Sequence, residues 1–187
     1  MKAKANLLDI IEEIKRKNAR LIVIDGVDGS GKSTLANKIT KNLGFAHISL
    51  DDYLEKNRGY FVEYIKYNLL KKEIDSASSS IIIEGVCALA VLKNLKIKYD
   101  LLIYIKRMSS YGFWKDDHIY DVDEDIDAFI ANQNLEHKKF CEAMAQIEGK
   151  DFDPINSAIP KLTEELIRYH YEFKPQEIAD IIYERIN

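Results

Sequence analysis

The chain has 187 residues, 47% of them hydrophobic and 31% charged, with 3 prolines. A chain of this length buries roughly 70% of its unfolded surface in one domain, so the composition fits a globular fold and excludes a disordered, collagen-like or low-complexity chain. The net charge of −4, from 27 basic and 31 acidic residues, argues against a surface built to neutralise a nucleic-acid backbone or to lie on an anionic membrane.

Leu7, Leu8, Ile11 and Ile14 recur at helical spacing behind Asn6, a capping residue, and predict an amphipathic helix within residues 1–18 that packs on the domain as a lid or partner surface. From Leu21 to Ile24 an all-apolar, β-branched run predicts a strand covered on both faces, and similar runs return at Phe45 to Ser49, Ser80 to Ile83 and Leu101 to Ile105. Helical patterns fall between them at Lys32 to Leu43, Tyr60 to Glu73 and Val86 to Leu95, which makes the chain α/β with a parallel sheet. Beyond Lys106 the pattern is helix-rich, with a long helix expected over Asp123 to Ile147 and a shorter one over Lys161 to Tyr171. Ala179 to Tyr183 reads equally as a helix end or a last strand. No run reaches bilayer-spanning length, and the expected compartment is the cytoplasm. The 2 cysteines, Cys87 and Cys141, and the 4 histidines have no metal-type spacing.

The richest segment is Gly26-Val27-Asp28-Gly29-Ser30-Gly31-Lys32-Ser33-Thr34, which matches the P-loop pattern between a strand and a helix. Glycines let consecutive backbone N–H groups converge on a phosphate where a side chain would obstruct them, and the following helix presents its positive end. Lys32 then sets a charge beside the β and γ phosphates, and the Ser33 hydroxyl is a ligand for Mg²⁺, so the segment predicts binding of Mg·ATP. Ligands in open α/β sheets collect at the carboxyl ends of strands, where the second strand is followed by Asp51-Asp52-Tyr53 and the third by Glu84-Gly85. Two carboxylates there suit acceptance of a proton from an attacking hydroxyl and orientation of Mg²⁺. As purely structural groups, Asp51 or Asp52 would cap the next segment and Glu84 the helix near Val86.

These segments, with Ile48 to Tyr53, Ile81 to Val86 and Tyr99 to Tyr104 in the same order and at similar spacing, resemble the uridine kinase-like family of P-loop small-molecule kinases. Tyr169-His170, Pro175 and Ala179-Asp180-Ile181-Ile182 resemble its closing segment and favour a fifth strand over Ile178 to Tyr183. The resemblance implies a P-loop NTPase fold with five parallel strands in the order 2-3-1-4-5, a single domain over 1–187, and a helical lid region over about 106–150. It implies transfer of the ATP γ-phosphoryl group to a hydroxyl of a small molecule, a nucleoside foremost. By position, Asp51 becomes the base, Ser33 and Glu84 serve Mg²⁺, and Tyr53, Arg58 and Tyr60 wall the acceptor pocket.

The P-loop also resembles that of thymidylate kinases, whose downstream arginine-containing signature is missing. Where the family carries an arginine-rich lid, this chain has Lys106-Arg107 and Lys115, followed by Asp121, Asp123, Glu124, Asp125 and Asp127. Arg107 is the lid candidate, with Lys106 or Lys115 as substitutes, while Lys138, Lys139 and Arg168 suit a solvated helix face. Trp114, with Tyr111 and Phe113, fits core packing better than stacking on a base. The thin lid keeps a second reading open, a nucleotide-binding regulatory protein without efficient transfer. The expected partner is a small hydroxyl acceptor, with neither nucleic acid nor membrane, and the oligomeric state is not legible.

Overall fold

The computed structural model describes residues 6–149, 151–152 and 157–186. The outermost positions of the expected domain, 1–5 and 187, and position 150 at the close of the expected lid region, lie outside the described residues.

Among the described residues, five strands form one parallel sheet in the order β2-β3-β1-β4-β5, with β1 Leu21–Asp25, β2 Ala46–Ser49, β3 Ile81–Glu84, β4 Leu101–Met108 and β5 Ile181–Ile186. The helices are α1 Leu7–Lys17, α2 Lys32–Leu43, α3 Tyr67–Ser76, α4 Ala88–Leu95, α5 Asp117–Tyr120, α6 Ile126–Glu148, α7 Lys161–Phe173 and α8 Pro175–Ile178. This is the α/β P-loop NTPase fold, with β1 at the centre and the loop after it at the carboxyl edge of the sheet.

Side chains alternate along a strand, so the apolar runs feed two core layers at once. Ile22, Ile24, Ile82, Leu101, Ile103 and Ile105 pack beneath α1 and α2 through Ile10, Ile14, Leu35 and Ile39. Val23, Ile83, Leu102 and Tyr104 face the other way, onto Leu70 and Ile74 of α3, Val91 and Leu92 of α4, and Leu166 and Tyr169 of α7. The N-terminal helix is therefore part of the core. Its start is held by a reciprocal cap, in which Asn6 Oδ1 accepts from Leu8 N and Asp9 N at 2.8 and 3.1 Å and Asp9 Oδ2 accepts from Asn6 N at 3.0 Å.

Helix α3 and strand β5 start later than the sequence pattern predicts. Helix α3 begins at Tyr67, seven residues after Tyr60, because the preceding segment folds back on itself. Glu55 N donates to Tyr64 O at 3.0 Å and Lys66 N to Tyr53 O at 2.8 Å, while Glu165 of α7 takes the amides of Phe61 and Val62 on its two oxygens at 2.5 and 3.0 Å. β5 starts at Ile181, later than Ile178. Pro175 opens the short helix α8, and the Asp180 carboxylate accepts from Leu102 N at 2.8 Å, so strand pairing begins only beyond it. The late start carries β5 on to Ile186 beside a long β4, pairing Lys106 with Glu184 and Arg107 with Arg185.

The turn that presents Asp51 is a 3₁₀ turn, Leu50–Tyr53, anchored by the fully buried Leu50. Leu50 lies against Gly85, where an added Cβ would stand 2.8 Å from Leu50 Cβ and 2.9 Å from its Cδ1. Gly85→Ala is therefore expected to lower stability by about 1–3 kcal/mol through overpacking. Urea unfolding checks this, and a wild-type midpoint would refute the packing argument.

Candidate active site

At the carboxyl edge, Asp28, Gly29, Gly31, Lys32, Ser33, Thr34, Asp51, Glu84 and Arg185 line one cleft of about 310 Å³. The loop holds its shape through Ser30 N donating to Val27 O at 3.2 Å, Gly29 N to Asp28 Oδ1 at 2.9 Å, and Leu35 N to Gly31 O at 3.0 Å. Ser33 and Thr34 lie in the first turn of α2, where amides have no partner within the helix and the helix end is positive. Lys32 folds over the loop, its Nζ donating to Val27 O at 2.9 Å. Burial pushes its pKa below the usual lysine value, against the pull of Asp25, Glu84, Asp28 and Asp51. An anion in the cleft would favour the charged form.

Glu84 ends β3 and is 1% exposed. Its Oε1 has no hydrogen-bond partner among the described residues, and His47 Nε2, equally unpartnered, stands 3.6 Å away. A buried carboxylate oxygen without a donor is costly unless a cation or a water serves it. With the Ser33 hydroxyl on the same cleft wall, this donor set fits Mg²⁺ arriving with a nucleotide. Among the described residues, no group of three or more His, Cys, Asp or Glu side chains is placed to hold a metal ion by itself. Asp51 opens to solvent at the cleft mouth, but shielding of its carboxyl and the nearby charge of Glu84 raise its pKa above the ordinary aspartate value.

The other expected site residues do not line that cleft, although Arg107 Nη1 reaches the loop, 3.8 Å from where a Cβ on Gly29 would be. Gly26 and Ser30 lie under the loop, and the buried Ser30 hydroxyl has no hydrogen-bond partner among the described residues. Tyr53 packs against the α3 side of the core. Arg58 and Tyr60 line a separate cleft of about 350 Å³ with Pro160, Lys161 and Leu162; Arg58 sits 3.6 Å from Glu55 and over the Tyr64 ring, and Lys161 covers Tyr60. Arg107 gives its Nε and Nη2 to the two oxygens of Asp116, which keeps its pKa above the usual arginine value. The segment between them turns back tightly, with Ser109 N donating to Phe113 O and Lys115 N to Arg107 O, both at 2.9 Å. Trp114 is buried against the edge of Tyr104 with Lys106 Nζ over its ring, and Arg168 pairs with Asp127 and Glu164 on an exposed helix face.

Two groups escaped the sequence reading. Arg185 belongs to the strand whose extent was misjudged by three residues. Asp25, the charged end of an apolar strand, is wholly buried, accepting from Gly26 N at 2.6 Å and from the Tyr169 hydroxyl, which in turn accepts from Leu89 N at 3.3 Å. Beside Tyr169, His170 Nδ1 donates to Leu166 O at 2.7 Å, and because burial lowers its pKa to about 4 the ring is neutral near pH 7, so that Nε2 accepts from the Tyr104 hydroxyl at 2.9 Å.

Compared by sequence, the chain matches no protein-family model and no curated protein. Among solved structures it is similar to a possible uridine kinase from Bacillus stearothermophilus, at 18% identity and a TM-score of 0.43, covering 95% of this chain and 98% of that one. Shikimate kinase from Bacteroides thetaiotaomicron matches at 15% identity and a TM-score of 0.42, covering 89% and 86%. Dephospho-CoA kinase from Campylobacter jejuni matches at 12% and 0.38, covering 90% and 89%. The likeness is one of fold. Among the described residues, no helix is long and apolar enough to cross a membrane.

Asp25 and His170, both buried and both in contact with Tyr169, make stability depend on pH. Burial lifts Asp25 from 3.8 to about 6, so its contribution to stability is full below pH 3.8 and is lost as pH rises through 6. Burial lowers His170 from 6.5 to about 4, so its contribution is full above pH 6.5 and is lost as pH falls through 4. Each is worth about 3 kcal/mol, and in the shared window they oppose one another. Asp25→Asn should therefore lose stability on acidification more steeply than wild type, and His170→Gln should lose less or gain. Urea unfolding from pH 4 to 7 measures both slopes; equal slopes in the two variants would contradict the assignment.

Proposed function

We propose that the protein is a kinase that binds Mg·ATP in the P-loop cleft and transfers the γ-phosphoryl group to a hydroxyl of a small molecule, a nucleoside being the leading class. The observation that carries this reading is the convergence of Asp51 with Lys32, Ser33 and Glu84 on one cleft, since the acceptor's base must stand where the phosphates end.

In this reading the P-loop amides and Lys32 hold the β and γ phosphates, and Lys32 leaves the Val27 carbonyl to do so. Ser33 would hold Mg²⁺ directly and Glu84 through water. When bound, the ion supplies positive charge against the charge that builds on the phosphate oxygens. Asp51 orients the acceptor hydroxyl and takes its proton as the acceptor oxygen bonds to the γ phosphorus and the bond to the departing ADP oxygen breaks. The raised pKa makes Asp51 a better proton acceptor than an ordinary aspartate, and its charge is present only above that pKa. The same proposal takes the chain as one domain, with the segment from Lys106 to Gly149 covering the cleft and Tyr53 on the acceptor side, while Arg58 and Tyr60, which line a separate cleft, are left out of the acceptor pocket.

One observation favours the second reading, of nucleotide binding without efficient transfer: the lid candidate Arg107 is bound to Asp116. ADP release from Mg·ATP across nucleosides, sugar acids and other hydroxyl acceptors separates the two. A kinase gives release that depends on one acceptor class and disappears in Lys32→Ala, whereas ATP binding with no acceptor dependence supports the second reading. With the acceptor in hand, Asp51→Asn is expected to lower turnover by about 10²–10⁴-fold, with ATP affinity within a few-fold of wild type. In the wild type, kcat/KM should rise with pH along an acid limb above the ordinary aspartate range. Unchanged turnover in Asp51→Asn would remove Asp51 from the chemistry.

A further inference from the structure

We infer that Arg185, at the carboxyl end of β5, binds the phosphate chain of the nucleotide and supplies the clamping charge that the segment after β4 lacks. The inference rests on the P-loop cleft being a nucleotide site and adds to it a residue from the far edge of the sheet.

The Arg185 side chain crosses the mouth of the loop. It lines the phosphate cleft together with Lys32, Ser33, Asp51 and Glu84, and on its other side it lines an adjoining cavity of about 240 Å³ with Thr34, Leu35, Lys38 and Tyr183. Its Cδ and Cζ stand 3.2 Å from where a Cβ on Gly31 would be, and its Nη1 is closer still. Gly31 adopts a φ of +97°, so the absence of a side chain there serves both the loop conformation and the passage of this arginine.

The state of the neighbouring cations singles Arg185 out. Arg107, its partner in register across β4 and β5, is held by Asp116 through Nε and Nη2 with Nη1 turned towards Gly29, and Lys32 has given its ammonium to Val27 O. The Arg185 guanidinium has no ion pair or hydrogen bond among the described residues. Two arginines side by side on adjacent strands repel unless each is neutralised. Asp116 serves Arg107, and a phosphate oxyanion above Gly31 would serve Arg185. A guanidinium offers a planar fork of donors that matches two phosphate oxygens, and delivered from a strand end it is held by the sheet and needs no mobile lid.

The test is binding of Mg·ATP and of inorganic tripolyphosphate, which has no base or sugar, to the full chain and to Arg185→Ala, Arg185→Lys, Arg185→Gln and Lys32→Ala. Arg185→Ala is expected to weaken both ligands at least tenfold, to flatten the loss of ATP affinity with added salt, and to melt close to wild type. Arg185→Lys should recover part of the affinity and Arg185→Gln none. If Arg185→Ala unfolds early, the Lys and Gln variants carry the comparison, and equal binding by those two overturns the inference. Wild-type affinity in Arg185→Ala alongside weak binding in Lys32→Ala overturns the role of Arg185 and leaves the cradle standing. Loss for ATP with none for tripolyphosphate overturns the phosphate contact in favour of a nucleoside one. A wild type that binds neither ligand overturns the nucleotide site and this inference together.

Discussion

The buried carboxylate of Asp25 sits at the point where the central strand becomes the phosphate loop. It accepts the Gly26 amide on one oxygen and the Tyr169 hydroxyl on the other, so the first bend of the loop is tied both to its own strand and to α7 on the opposite layer. β1 is flanked by β3 and β4, and the carboxylates and arginines that face the loop come from the ends of β2, β3, β4 and β5. A shift in that bend would move the cradle relative to all of them. Burying a titratable group at this junction is costly, and the raised pKa of Asp25 expresses that cost.

Charge in the cleft is arranged by layer. Beneath the loop lie groups whose charge is suppressed or internally answered, including neutral His170 and the Asp25–Tyr169 pair. On the cleft wall stand Lys32, Glu84 and Asp51, where burial lowers the pKa of Lys32 and raises that of Asp51 and the charge of Glu84 acts on both. At the rim, Arg107 and Arg185 occupy equivalent positions on neighbouring strands but only the first has an acidic partner among the described residues. The thinness of the basic lid in the sequence thus has a counterpart in space: positive charge reaches the loop from the sheet edge.

Sequence reading recovered the elements whose signal is local. The strand Leu21 to Ile24, the glycine spacing from Gly26 to Thr34 and the Asn6 cap depend on neighbours within a few residues, and the structure has each at its expected place. It failed where a distant group overrode local preference. The pattern from Tyr60 looks helical, yet Glu165, more than a hundred residues on, holds the Phe61 and Val62 amides in a loop. Tyr53, Arg58 and Tyr60 follow Asp51 closely in the chain, but the folding back of that segment turns Arg58 and Tyr60 towards a different cleft. Sequence nearness to a site residue is a poor guide once the chain leaves a regular element.

By itself, the sequence determined the alternation of strands and helices, the phosphate loop, and the carboxylates that follow the second and third strands, because each follows from periodicity or spacing within one segment. Tertiary structure decided what those residues face. It made the N-terminal helix part of the core, committed Arg107 to Asp116, and brought Arg185 across about 150 residues of chain to stand over Gly31. Strand order is set by packing between segments far apart in the chain, and it is strand order that chooses which side chains meet at the mouth of the sheet.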